Sequence, residues 1–131
     1  MAQKHFGTHV TLDGYNGDFN RLNNKDLIRN ALYELPELLG MKRITRPKIK
    51  HCTPRSLKDS GGYSGFVMIA ESHISIHTFA KKGFLTADVY TCNAKLPRSK
   101  VKAYFQSTFG LKNIEINYIK RGLSFPKHDL Y

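Results

Sequence analysis

The chain has 131 residues and a formal net charge of +11, with 21 Lys and Arg against 10 Asp and Glu. This length favours one domain with a single modest core and excludes a multidomain enzyme. No apolar run is long enough for a signal peptide or a membrane-spanning helix, and two cysteines are too few for a disulfide framework. We therefore expect a cytoplasmic protein without a membrane partner.

The positive charge is densest between Lys42 and Lys58, where seven Lys and Arg residues occur. A basic surface attracts nucleic acid, but no nucleic-acid-binding motif accompanies this cluster. We interpret the segment as a solvated strand and loop, and a nucleic-acid partner is not expected. A non-catalytic basic binding protein is kept as a remote alternative.

Periodicity and turn residues predict two helices and six strands. In chain order, they are a strand at 5–15, a helix capped by Asn23 or Asn24, a strand at 41–52, a loop at 57–65, a strand at 66–70, two strands within 71–93 joined by a loop at 80–83, a helix at 98–109 and a strand at 114–119. Pro36 is expected to kink the first helix or end it early, with Gly40 as its stop. Pro97 and Gly110 bound the second helix. The order predicts an α+β sandwich, a single domain with an antiparallel β-sheet and two helices packed on one face.

The hairpin at 71–93 fixes which residues lie opposite each other, because partners in an antiparallel pair have a constant sum of residue numbers. If Phe79 faces Phe84, Glu71 faces Cys92. A tighter loop would instead place His73 opposite Cys92. Either register puts the thiol within about one residue of the bond between Glu71 and Ser72.

Alternation along the hairpin gives one apolar face and one polar face. The polar face carries His73, Ser75, His77, Asp88, Tyr90 and Cys92. A solvent-facing surface explains any one of them alone, and two histidines with one thiol at these spacings match no structural zinc pattern, so no metal is expected. A cysteine–histidine hydrolase needs its base near the thiol, whereas Cys92 and His77 lie at opposite ends of the hairpin.

His77 is also far from Ser72. Five residues along a straight strand span about 17 Å, too far for contact within one strand. Either the chain folds sharply at Ser72, or His77 reaches the serine of a second protomer across a two-fold interface.

Two segments, "SGFVMIAESHISIHTF" and "ADVYTC", resemble the S-adenosylmethionine decarboxylase proenzymes of the small bacterial and archaeal class. The resemblance extends from "GTHVTLDGY" to "YIKRGLSFP" and covers most of the chain. It implies that the bond between Glu71 and Ser72 cuts itself, giving a β chain (1–71) and an α chain (72–131). Ser72 then becomes a pyruvoyl group, the cofactor, with no requirement for pyridoxal phosphate or a metal.

The resemblance also implies roles for other residues. His77 promotes the elimination at Ser72 by taking a proton, and Ser64 assists processing, although a turn residue between glycines explains Ser64 as well. The resemblance predicts a homodimer with two active sites between its protomers. Cys92, beside Ser72 by the hairpin count, is the expected acid that returns a proton to the substrate carbon.

The substrate is the open question, because the chain departs from the family pattern. Lys81 stands where the family usually has a carboxylate that binds ribose hydroxyls, and a lysine cannot accept those hydrogen bonds. Leu57 and Lys58 stand where an adenine-stacking aromatic residue is usual, and Tyr63 is a substitute. We expect Phe79, Lys81, His73 and Tyr63 near the substrate. The substrate is S-adenosylmethionine, as in the family, or a simpler amino acid such as ornithine or arginine.

Overall fold

The structure is a computed structural model that describes residues 5–57, 60–93 and 95–126. Its elements are β1 (Gly7–Tyr15), α1 (Phe19–Leu22), α2 (Lys25–Leu38), β2 (Lys48–Cys52), β3 (Gly62–Ile69), β4 (Ser72–Phe79), β5 (Phe84–Thr91), α3 (Arg98–Phe109) and β6 (Asn113–Arg121). The strands form one antiparallel sheet in the order β2-β3-β4-β5-β1-β6. The predicted single-domain α+β fold is confirmed.

The helices cover one face of this sheet because each has an apolar stripe. Helix α2 buries Ile28, Ala31, Leu32 and Leu35, and α3 buries Val101, Phe105 and Phe109. These side chains pack on the alternate strand residues that point toward them, including Val67, Ile74, Ile76, Leu85 and Val89. Burying one large apolar side chain of this kind contributes about 1.5–3 kcal/mol. Most of the core residues lie in this layer between the helices and the sheet.

Helix boundaries follow the capping residues. Asn24 caps α2, with its side chain accepting a hydrogen bond from the Leu27 amide at 3.1 Å. Helix α3 begins after Pro97 and ends at Gly110, whose φ of 64° suits glycine, as predicted. Helix α2 runs through Pro36 to Leu38, so Pro36 does not end it early. The short helix α1 was not predicted; Asp18 caps it.

The strands β2 and β3 differ from their predicted bounds. Strand β2 begins at Lys48, directly after Pro47, which lacks the amide hydrogen that a ladder needs. Strand β3 begins at Gly62, within the segment predicted as a loop. A Cβ on Gly62 would lie 1.8 Å from the Thr78 carbonyl oxygen, so glycine allows β3 and β4 to approach closely. This early start brings Ser64 into the sheet, opposite His77.

The β4–β5 register is the one in which Phe79 pairs with Phe84 and His73 with Tyr90. The first predicted register is therefore correct. The sheet face away from the helices, called the open face below, carries alternate residues of every strand, among them Cys52, Ser64, Phe66, His73, His77, Asp88 and Cys92. No protein layer of the described residues covers it.

Candidate active site

The turn between β3 and β4 holds the bond that the sequence singles out. Ala70 and Glu71 form a two-residue loop between the paired residues Ile69 and Ser72. Glu71 has a φ of 57°, a left-handed conformation that costs a non-glycine residue about 1–3 kcal/mol. Ala70 does not have a positive φ, so this is neither of the primed turns that suit two-residue hairpins. The backbone is thus strained at the Glu71–Ser72 bond.

Cys92 lies beside this bond, as the hairpin count predicts. Its Sγ donates a hydrogen bond to Glu71 Oε2 at 3.2 Å. Burial raises the pKa of the Cys92 thiol, and the hydrogen bond to the Glu71 carboxylate and its negative charge raise it further. The thiol therefore keeps its proton at neutral pH. Ser72, at 8% exposure, is buried on the helix side of β4.

The other end of β4 carries a second reactive group. Ser64 Oγ and His77 Nδ1 are 2.7 Å apart, on directly paired residues of β3 and β4. Cys52 Sγ lies 3.4 Å from Ser64 Oγ. The sequence placed Ser64 and His77 in the site but did not single out Cys52.

A cavity of about 360 Å³ opens beside these three side chains. It is lined by Cys52, Ser64, His77, Phe79, Lys82 and Phe84, among others. The rings of Phe79 and Phe84 are stacked with centroids 5.7 Å apart. The volume suits a small molecule, and the lining combines an aromatic pair with acid–base groups.

The two groups do not meet within one chain. Strand β4 is continuous from Ser72 to Phe79, which leaves His77 about 17 Å from Ser72 at the usual rise of a strand. The sharp fold at Ser72, one of the two alternatives raised by the sequence, is absent. Each end of β4 therefore holds only part of the expected chemistry.

The other predicted substrate residues occupy different places. Phe79 lines the cavity beside Ser64 and His77, whereas Lys81 lines an adjoining cavity of about 200 Å³ that also includes Cys52 and His51. Tyr63 packs against the core and edge-on to His51. Leu57 is 95% exposed, and Lys58 lies outside the described residues.

Lys82, rather than Lys81, lines the cavity beside Ser64 and His77. Strand alternation ends at Phe79, and a 3-10 helix at Ala80–Lys82 follows. Alternation cannot assign side-chain directions within such a turn, so the choice between the two lysines could not be made from the sequence.

His73 belongs to a polar network at the centre of the open face. His9 Nε2 is 2.6 Å and His73 Nε2 is 3.5 Å from Asp88 Oδ2, and Ser75 donates a hydrogen bond to the same carboxylate. Burial raises the pKa of Asp88, but the hydrogen bonds from Ser75 and His9 and the nearby histidines outweigh it, so the net pKa is lowered. His73 also stacks on Phe66.

The ligand atoms of His9, His73 and Asp88 lie within 4.8 Å of one another, close enough to hold a metal ion. However, Arg121 Nη1 lies 3.0 Å from His9 Nδ1. A guanidinium only donates, so Nδ1 accepts and the ring proton is on Nε2, directed at Asp88. In this arrangement the His9 ring acts as a hydrogen-bond donor rather than a ligand.

Fold and site together define an α+β enzyme whose acid–base groups lie at two ends of one central strand. The S-adenosylmethionine decarboxylase family model matches residues 8–122. The chain is 30% identical over 119 residues to the S-adenosylmethionine decarboxylase proenzyme of Clostridium botulinum, covering 91% of this chain and 97% of that protein. It is 33% identical over 117 residues to the proenzyme of that name from Thermococcus gammatolerans, covering 89% and 77%.

A solved structure agrees with these matches. The crystal structure of the adenosylmethionine decarboxylase from Aquifex aeolicus superposes with a TM-score of 0.77 at 28% identity, covering 92% of this chain and 93% of that one. The chain belongs to the S-adenosylmethionine decarboxylase family, and the resemblance found in the sequence is confirmed. Among the described residues, no helix is long and apolar enough to cross a membrane.

Proposed function

We propose that this chain is a proenzyme that cuts its own Glu71–Ser72 bond and then, with a pyruvoyl group made from Ser72, decarboxylates S-adenosylmethionine for polyamine biosynthesis. The observation that carries the proposal is the strained turn at Glu71 with the protonated Cys92 thiol 3.2 Å from the Glu71 carboxylate. The family assignment supplies the reaction class. Cys92 must stay reduced to act, which fits the cytoplasm.

The topology supports cleavage without dissociation. Strands β1, β2 and β3 belong to residues 1–71, and β4, β5 and β6 belong to residues 72–131. In the sheet, β1 lies between β5 and β6, and β3 pairs with β4. Three ladders therefore join the two fragments, and the cut would leave the sheet intact.

The residues around Ser72 fit a pyruvoyl group. The first residue of β4 would hold it, beside Cys92, which directly follows β5. The group supplies an electron-withdrawing carbonyl for the carbon that loses carbon dioxide. Cys92 holds a proton at Sγ because burial and the Glu71 carboxylate raise its pKa, and it would donate that proton to the same carbon.

A homodimer completes the site. A two-fold axis that crosses the strands over the middle of β4 would bring His77 of one chain over the backbone of the partner's Ser72, whose side chain points to the helix side. The open face has the apolar surface for such contact, since Phe66 and Met68 are 42% and 45% exposed. His77 would then take the proton lost from the partner's Ser72 during processing, with Ser64 holding the ring at 2.7 Å.

The substrate proposal follows the relatives, which are named S-adenosylmethionine decarboxylases. The comparisons give no support to ornithine or arginine. Lys81 lines the adjoining cavity, so the lysine that replaces the family's carboxylate does not lie in the cavity beside Ser64 and His77. The stacked Phe79 and Phe84 rings offer an apolar wall for an adenine ring.

Two measurements test the proposal. Denaturing mass spectrometry should show fragments of 71 and 60 residues, the smaller with a carbonyl in place of its first amine, while Ser72→Ala stays whole. Carbon dioxide release should then be compared for S-adenosylmethionine, ornithine and arginine. A wild-type chain that stays intact would remove the cofactor, and turnover of ornithine or arginine alone would overturn the substrate.

A further inference from the structure

Cys52 is the nucleophilic side chain that the mechanism above leaves unused. It ends β2, where it pairs with Gly62 of β3, and its side chain lies on the open face with Ser64. Cys52 Sγ, Ser64 Oγ and His77 Nδ1 form a continuous line, with separations of 3.4 Å and 2.7 Å. Three adjacent strands, β2, β3 and β4, each contribute one member.

The direction of these hydrogen bonds decides what His77 can do. To take a proton at Nε2, the neutral ring must carry its hydrogen on Nδ1. That hydrogen is then donated to Ser64 Oγ, so the Ser64 hydroxyl hydrogen must go to another acceptor. Cys52 Sγ, at 3.4 Å, is in position to accept it.

The reverse direction gives the opposite result. If the Cys52 thiol donates to Ser64 and Ser64 donates to His77 Nδ1, the ring hydrogen moves to Nε2. His77 would then present a donor toward the cavity and could not act as a base. The same three atoms therefore support two states that differ in the direction of both hydrogen bonds.

We propose that Cys52 is a positioning residue for processing: it accepts the Ser64 hydroxyl hydrogen and so holds His77 in the tautomer with a free Nε2. The proposal rests on the proposed function, because this tautomer is needed to accept the proton that the elimination removes from the partner's Ser72. That proton passes to His77 Nε2, while the hydrogens on Nδ1 and on Ser64 stay in place. Cys52 itself touches neither the scissile bond nor the proton that moves.

The first test reads the tautomer without processing. Nitrogen-15 NMR of His77 is recorded in the Ser72→Ala proenzyme, alone and combined with Cys52→Ala or Cys52→Ser. We expect the hydrogen on Nδ1 in the parent and in Cys52→Ser, whose hydroxyl also accepts, and a shift toward Nε2 in Cys52→Ala. An unchanged tautomer in Cys52→Ala would overturn the proposal.

The second test follows the rate of processing against pH in chains that retain Ser72. Cys52→Ala should slow processing about tenfold, the factor of one hydrogen bond, and Cys52→Ser should restore most of it. Lys50→Ala is the matched control, since Lys50 lies on the same strand and face and pairs with Ser64, and it should process at the parent rate. Equal slowing by Cys52→Ala and Lys50→Ala would mean that Cys52 only supports β2, and would overturn the proposal.

The two tests separate the proposals. A wild-type chain that never processes would end the proposed function, yet the NMR result on Cys52 would still stand. If Cys52→Ala fails to fold, Cys52→Ser provides the comparison, because it keeps an acceptor: a parent-like tautomer and rate support the proposal, and a Nε2 tautomer contradicts it.

Discussion

The two ends of β4 differ in what they lack. At the turn end, Glu71 supplies a strained bond and Cys92 a protonated thiol 3.2 Å from the Glu71 carboxylate. At the cavity end, Ser64 and His77 form a 2.7 Å contact beside an open space of about 360 Å³. One end has the bond that we propose is cut, and the other has the proposed base. This separation is the reason for proposing that two copies of the chain form each site.

The electrostatics of the two ends also differ. Burial and a carboxylate raise the pKa of Cys92, so the turn end stores a proton. His77 instead has a hydroxyl as its partner, whose direction can reverse. The proposed acid is thus kept protonated by burial and by a neighbouring carboxylate at one end, while the proposed base is set by hydrogen-bond direction at the other.

Mixing two inactive variants is expected to give the largest effect. Ser72→Ala cannot be cut, and His77→Ala should be cut very slowly. In a refolded mixture, a mixed dimer joins an intact His77 from one chain to the intact Ser72 of the other, so about half of the His77→Ala chains should be cleaved at equal mixing. Mass spectrometry distinguishes the two chains.

The control for this mixture is each variant refolded alone. Sedimentation should verify that mixed dimers form. If they form and no His77→Ala chain is cut, the two ends of β4 act within one chain and the face-to-face dimer is wrong.

Removing the thiol should affect turnover more than processing. Cys92→Ala keeps the Glu71–Ser72 turn and the whole cavity end, so fragments should still appear. Steady carbon dioxide release should fall by about 10²–10⁴-fold, the usual contribution of a general acid. Cys92→Ser keeps the size but not the acidity and should also be slow. Undiminished steady release in Cys92→Ala would assign the proton to another group.

The local elements could be predicted from the sequence, because their signals are local. Pro97 and Gly110 bound α3, and the short loop after Phe79 limited the β4–β5 pairing to two registers, both of which place Cys92 near the Glu71–Ser72 bond. Cys52 could not be predicted, since its contact with Ser64 depends on the pairing of β2 with β3 across a glycine-rich segment that reads as a loop. Tertiary pairing outweighed the local preference there.

The smallest expected effect concerns the pKa of Cys92 in the uncut chain. Glu71 raises this pKa by its hydrogen bond and its charge, after burial, so Glu71→Gln should lower it toward its usual value. Alkylation of Cys92 requires the thiolate, so the alkylation rate should begin to rise at a lower pH in Glu71→Gln than in the parent.

The Ser72→Ala, Cys52→Ser background keeps the turn intact and leaves Cys92 as the one thiol in the chain. Glu37→Gln, far along the sequence and paired with Arg43 at 3.1 Å, is the control for a change of net charge and should not move the curve. An identical pH midpoint in Glu71→Gln and its parent would show that burial alone keeps the proton on Cys92, and the turn end would then owe its protonated thiol to packing rather than to the carboxylate.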